Sequence, residues 1–123
     1  MTRVPAQPLC YEFNRHAEPR ARITSGESLQ VESEDALSGQ IRHPGDQRDK
    51  SKVPYSNPVA GPIFVKGAES GDALAVTIDT IEPRDGQCAT YTGHPRLLAE
   101  WLGDDVPPGA HVCPIRDGEV HWS

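Results

Sequence analysis

Residues 56–76 read SNPVAGPIFVKGAESGDALAV, and their reading decides the fold. Asn57-Pro58 and Gly61-Pro62 bracket a tight bend, because proline fixes φ and glycine frees it. Pro58 also pushes Asn57 toward an extended backbone. Ile63-Phe64-Val65 follows as a β-rich run. Gly67-Ala68-Glu69-Ser70-Gly71-Asp72 is a turn, and Leu74-Ala75-Val76-Thr77-Ile78 alternates as a second strand. Short strands between strong turn signals point to an all-β protein.

The flanking sequence agrees. Ala21-Arg22-Ile23 reads as a strand and Thr24-Ser25-Gly26-Glu27 as a turn. Residues 28–34 alternate, with Leu29 and Val31 on one face. Ser25-Gly26-Glu27-Ser28-Leu29-Gln30-Val31 is echoed by Ser70-Gly71-Asp72-Ala73-Leu74-Ala75-Val76, which suggests two similar corners of one β-sandwich. Residues 38–54 form a polar loop almost without apolar anchors, of the length that is usually functional or mobile. Residues 87–92 suit another strand. Pro95 to Gly103 is the one helical segment, with proline in its first turn and glycine as its stop. Its Leu97, Leu98, Trp101 and Leu102 stripe predicts packing against a sheet. Residues 110–123 read as a hairpin about Asp117-Gly118, flanked by Val112, Ile115, Val120 and Trp122. The expected fold is all-β and β-sandwich-like, with one short helix over about residues 95–102. Residues 1–123 make a single domain, and residues 1–18 an irregular N-terminal segment.

Composition narrows the function. The 123-residue chain has 36% hydrophobic and 6% aromatic residues, a lean supply for a self-sufficient core. Twelve basic against eighteen acidic residues give a net charge of −6, which opposes binding to a phosphate backbone, so no nucleic-acid partner is expected. No apolar run is long enough to cross a bilayer, and the N-terminus has no apolar signal core. The expectation is therefore a cytoplasmic protein with no membrane partner. Cys10, Cys88 and Cys113 lack zinc-ligand spacing and read as reduced thiols. Dinucleotide and P-loop glycine patterns and a serine nucleophile elbow are absent.

Three residues stand out for chemistry. Asp35 follows the first echoed strand and precedes a Gly-containing turn, where a carboxylate suits a base or metal ligand. The alternative is an Asx-type turn, with the side chain bonded to local N–H groups. Asn57 carries an amide suited to an amide substrate or its oxyanion, or else to bracing its own turn. His43, in Arg42-His43-Pro44-Gly45-Asp46, suits a general base near neutral pH or a solvated surface position. His16, His94, His111 and His121 have no mutual ligand spacing. His121 alternates with Val120 and Trp122 and is expected to face away from them.

Three segments resemble the N-terminal part of the acetamidase/formamidase family, in the family's order. They are ITSGESLQVESEDALSGQI (residues 23–41), the paired motifs NPVAGPI and GAESGDALAVTI (residues 57–81), and GEVHWS (residues 118–123). The family pattern runs close to NPVTGPI, GAEPGD and LAV; Ala60 stands where it usually has threonine. The resemblance implies hydrolysis of small linear amides through attack by a metal-activated water on the carbonyl. It places Asp35 and Asn57 in the catalytic site; Pro58, Gly61 and His43 are the residues expected to bind substrate beside them. Family members are more than twice as long, and their later His-Gly-Gly-Asn and Gly-Asp-His motifs have no counterpart here. The resemblance therefore implies a small subunit of a hetero-oligomer, partnered by a larger amidase subunit. A divalent metal, zinc or similar, would be bound mainly by that larger chain, with no metal ligand assigned here. A strand at residues 119–122 would leave a sheet edge for a partner to cover. A non-catalytic β-sandwich that binds a ligand or protein remains the alternative, and a truncated remnant is a third reading.

Overall fold

The computed structural model describes residues 1–92, 95–103 and 109–122. The chain folds as two compact units, one from residues 1–38 and 55–77 and the other from residues 39–54 and 78–123.

The first unit is built on two short parallel pairs. Strand β1 (Thr2–Val4) lies beside β3 (Leu29–Val31), and β2 (Ala21–Ile23) lies beside β4 (Ile63–Val65). Further backbone bonds lengthen both ladders: Glu32 N–H to Val4 O at 2.9 Å, Arg20 N–H to Pro62 O at 2.9 Å, and Lys66 N–H to Ile23 O at 2.7 Å. Val4 and Ala21 are the buried apolar side chains of this unit. Arg3 points outward and pairs with Glu32, while Val4 on the opposite face is buried and Thr2 at the strand's start stays exposed.

The expectation of an irregular segment over residues 1–18 is thus corrected at its start. Val4 has an apolar site to fill, and Pro5 ends the strand behind it.

The second unit holds an antiparallel meander of β5 (Gln87–Thr92), β6 (Gly109–Arg116) and β7 (Glu119–Val120), in that spatial order. The β6–β7 turn falls at Asp117-Gly118, both at positive φ (52° and 78°), as the sequence predicts. Pro114 stands opposite Gln87, where no ladder bond is due, because the adjacent Gly86–Ile115 pair takes it at 2.7 Å. Cys113 is buried and directly opposite Cys88. The loop also contributes an anchor that its polar composition conceals: Ile41 is buried.

The one α-helix among the described residues, α1, spans Pro95–Leu102, and Gly103 closes it at φ 73° with its N–H on Ala99 O at 2.8 Å. The chain is therefore all-β with one short helix. No helix among the described residues is long and apolar enough to cross a membrane.

Two local expectations fail. Trp101 is 78% exposed and Leu102 65%, so the described end of the helical stripe is not packed against a sheet. The alternating run Leu74–Ile78 is not a strand, although the turn before it forms as expected. The two echoed corners are alike in detail. Glu27 N–H meets Thr24 O at 3.2 Å while its carboxylate takes Thr24 N–H at 2.9 Å. Asp72 N–H meets Glu69 O at 3.1 Å while its carboxylate takes Glu69 N–H at 2.8 Å. Such a turn closes on itself, whereas a strand needs a neighbour. β3 has β1, and Leu74–Ile78 has no pairing partner among the described residues.

Candidate functional site

Asp35 begins a tight turn four residues beyond β3. Its Oδ1 accepts the Leu37 N–H at 2.8 Å, and its carbonyl accepts the Ser38 N–H at 3.0 Å. This is the Asx turn named as the alternative for Asp35. The carboxylate is exposed, and Oδ2 has no partner among the described residues. Ser38 leaves the turn at φ 54°, with its hydroxyl buried and unpartnered among the described residues. Ser-Gly was a readable turn signal; the buried hydroxyl had no sequence signature.

Asn57 is brought to this turn. Its backbone N–H donates to Ala36 O at 2.8 Å, which ties two sites separated by more than twenty positions in sequence. Asn57 adopts φ 58°, in the left-handed region, so the extended conformation expected before Pro58 is corrected. Asparagine tolerates this region better than most residues, and the bond to Ala36 holds it there. Its side-chain amide is exposed, with no partner among the described residues.

The bend beyond Asn57 is rigidly held. Val59 N–H donates to Cys10 O at 2.7 Å, and Pro58 is half-buried. Gly61 is buried at φ 103°, and a Cβ there would lie 3.3 Å from Ile63 N. Glycine is therefore required by both conformation and space. Arg20 braces the same region, donating to the carbonyls of Pro5 and Ala6 at 3.0 Å each and to that of Pro8. Tyr11, next to Cys10, and Tyr55, two positions before Asn57, pack with ring centroids 5.4 Å apart.

His43 belongs to the second unit. It opens another self-closed corner, His43-Pro44-Gly45-Asp46, with Gly45 at φ 91°. Asp46 N–H meets His43 O at 3.1 Å, and Asp46 Oδ2 takes the N–H groups of Arg42 and His43 at 2.7 and 2.8 Å. These backbone bonds, first that from Arg42, hold the Asp46 carboxyl below its usual range. The His43 ring is 82% exposed, with Nδ1 3.5 Å from the Asp46 carboxylate.

Sequence reading passed over the residues that fix this loop. Arg42 pairs with Asp85 at 2.5 Å and donates to Gly39 O at 3.1 Å, while Gln87 Nε2 donates to Arg42 O at 3.0 Å. The Arg42 guanidinium is the main cause that lowers the Asp85 carboxyl. Gln40 Oε1 accepts the Asp49 N–H at 2.7 Å. An arginine in a polar loop carries no periodicity signal, and its partner lies 43 positions away.

Among the described residues, no three His, Cys, Asp or Glu side chains gather as metal ligands, and Asp35 spends one oxygen on its own turn. These residues alone do not fit a resident metal, and no step is drawn through one. What the first unit offers is an exposed carboxylate and an exposed amide on two adjoining turns.

The sequence profile described as "Acetamidase/Formamidase family" matches residues 6–100. A provisionally named formamidase of Schizosaccharomyces pombe is 34% identical over 73 residues, which cover 58% of this chain and 18% of that protein. A solved recombinant acetamidase/formamidase from Thermoanaerobacter tengcongensis, so named by prediction, is similar with a TM-score of 0.80 at 31% identity. The likeness covers 99% of this chain and 40% of that one. A solved acetamidase from Bacillus halodurans shares the fold, with a TM-score of 0.71 at 22% identity over 98% of this chain and 40% of that one. The chain thus spans well under half the length of each of these proteins.

Proposed function

The chain belongs to the acetamidase/formamidase family, and from that premise we propose that it is the small subunit of a split amide hydrolase. It corresponds to the N-terminal part of the family fold and acts with a larger chain on the C–N bonds of small linear amides. The carrying observation is the match of nearly the whole chain to two fifths of a solved member, TM-score 0.80.

The chemistry assigned to this chain's own groups is modest. The Asp35 carboxylate takes a proton from the attacking water as its oxygen adds to the amide carbonyl. The Asn57 side-chain N–H donates to the carbonyl oxygen as negative charge develops there. Asp35 returns that proton to the amide nitrogen as the C–N bond breaks, leaving a carboxylic acid and ammonia. Pro58 and Gly61 fix the bend that presents Asn57. A divalent metal, if the larger chain holds one, supplies activation of the water.

His43 is proposed as a substrate-binding residue of the assembled enzyme, on the strength of its open ring. The hetero-oligomer would work in the cytoplasm.

The test is to co-express this chain with a larger family polypeptide from the same host and measure ammonia release from formamide and acetamide. Turnover by the pair but by neither chain alone is expected. Unchanged turnover in both Asp35→Asn and Asn57→Gly would remove these residues from the mechanism. A stable chain with no effect on any amidase would favour the binding-protein alternative.

A further inference from the structure

The segment 73–83 carries a strand's sequence without a strand's surroundings. Leu74, Val76 and Ile78 alternate, as the side chains of one strand face do, yet they are 64, 82 and 70% exposed. Ile81, further on and on the opposite parity, is 78% exposed. Ala73, Ala75, Thr77 and Asp79, which define the other face, are exposed as well. Among the described residues, no backbone hydrogen bond is made by residues 73–83.

An apolar run with a strand's alternation, exposed on both faces and unpaired among the described residues, is a template for pairing. Solvation of so many β-branched and leucine side chains is costly, and natural proteins seldom leave such a run uncovered. The turn before it is complete in itself, through Glu69 and Asp72, so the segment is aimed from a fixed corner.

The occupant follows from coverage. The likeness to the Thermoanaerobacter tengcongensis protein takes in 99% of this chain, this segment included, but only 40% of that protein. Nearly all of this chain, residues 73–83 with it, therefore matches a part of a larger fold. We propose that Leu74–Ile81 is a donated β-strand, which enters a sheet of the larger chain by backbone pairing and buries Leu74, Val76 and Ile78 there. The proposal rests on the split-subunit reading above and names the contact through which the subunits join. β-strand addition of this kind draws affinity from main-chain bonds and specificity from alternate side chains.

The segment makes no backbone hydrogen bond among the described residues, so it can be altered without harming the isolated chain. In the variant Val76→Asp/Ile78→Asp, the urea midpoint of the isolated chain should stay as in wild type. Binding to the co-expressed larger family polypeptide should weaken about 100-fold or more, as for a buried hot spot. Val76→Pro, which removes one N–H, should do the same. Hydrogen exchange supplies the direct readout. Amides of residues 74–81 should exchange at free-peptide rates in the isolated chain and at least roughly 100-fold more slowly in the complex.

The outcomes separate the two ideas. A complex that hydrolyses small amides while these amides stay unprotected, and that tolerates both variants, overturns strand donation and leaves the amidase reading intact. Protection with loss of binding in the variants, but no hydrolysis, upholds strand donation and sinks the amidase reading. If protection appears in the isolated chain and grows with its concentration, the occupant is a second copy and the proposal is wrong. If the two polypeptides do not associate, strand donation falls, and ammonia release from their mixture decides the function separately.

Discussion

Replacing Asn57 separates what its backbone does from what its amide does. Its φ of 58° lies where an L residue without a short polar side chain is strained by roughly 1–2 kcal/mol. Asparagine already bears part of that strain, so Asn57→Ala should cost about 1 kcal/mol relative to wild type. Glycine adopts this φ freely but gains entropy in the unfolded chain, so Asn57→Gly should lie within about 0.5 kcal/mol of wild type. For a chain of this size, a loss of 1 kcal/mol lowers Tm by about 3–5 °C. Thermal and urea unfolding of the isolated chain would measure both variants. In the assembled enzyme, both variants should also lose about 100-fold in kcat, the usual cost of a missing oxyanion donor. The decisive comparison is Asn57→Gly, which keeps the fold and lacks only the amide. If Asn57→Ala proves no less stable than Asn57→Gly, the backbone argument is wrong. If Asn57→Gly retains full turnover, the amide has no catalytic part.

Gly61→Ala should destabilise the isolated chain by roughly 1–3 kcal/mol, because a buried residue would be strained at φ 103° and crowd Ile63 N; urea unfolding measures this. Acid should loosen the loops. Asp46, Asp49 and Asp85 have depressed carboxyl pKa values when folded, so their stabilisation is present above the ordinary carboxylate range and is lost as pH falls through it. Unfolding midpoints should therefore fall below about pH 4, and Asp46→Asn should flatten that slope. Cys113 should be the slowest thiol to alkylate, since burial, and then the neighbouring Cys88, push its pKa up. Mass spectrometry of time-quenched iodoacetamide reactions should find Cys10 and Cys88 modified first, and Cys113 only with unfolding.

The parts of the fold that close locally were legible in the sequence. Asp117-Gly118, the Gly103 helix stop and the Gly26 and Gly71 corners each need only residues within a few positions, and each formed as read. The three-residue strands at Ala21, Leu29 and Ile63 were legible from β-branched alternation. Their parallel partners were not, because nothing local says that Thr2 meets Leu29 or Ala21 meets Ile63. Leu74–Ile78 shows the converse: its pattern is sound, but a strand exists only beside another strand. Among the site residues, Asp35 and Asn57 were singled out separately. That one backbone bond joins their turns follows from the tertiary fold and from no motif. Arg42 was missed because an ion pair formed across 43 positions leaves no periodic trace.

The two parallel pairs also impose an order on synthesis. Residue Ala21 pairs with Ile63, so β2 emerges from the ribosome long before its neighbour exists. Until Val65 has left the exit tunnel, Ala21–Ile23 can find only transient contacts, and the bend at Gly61 cannot be locked. The nascent chain must carry residues 21–62 without this pairing, and that interval is one in which a chaperone has much to protect.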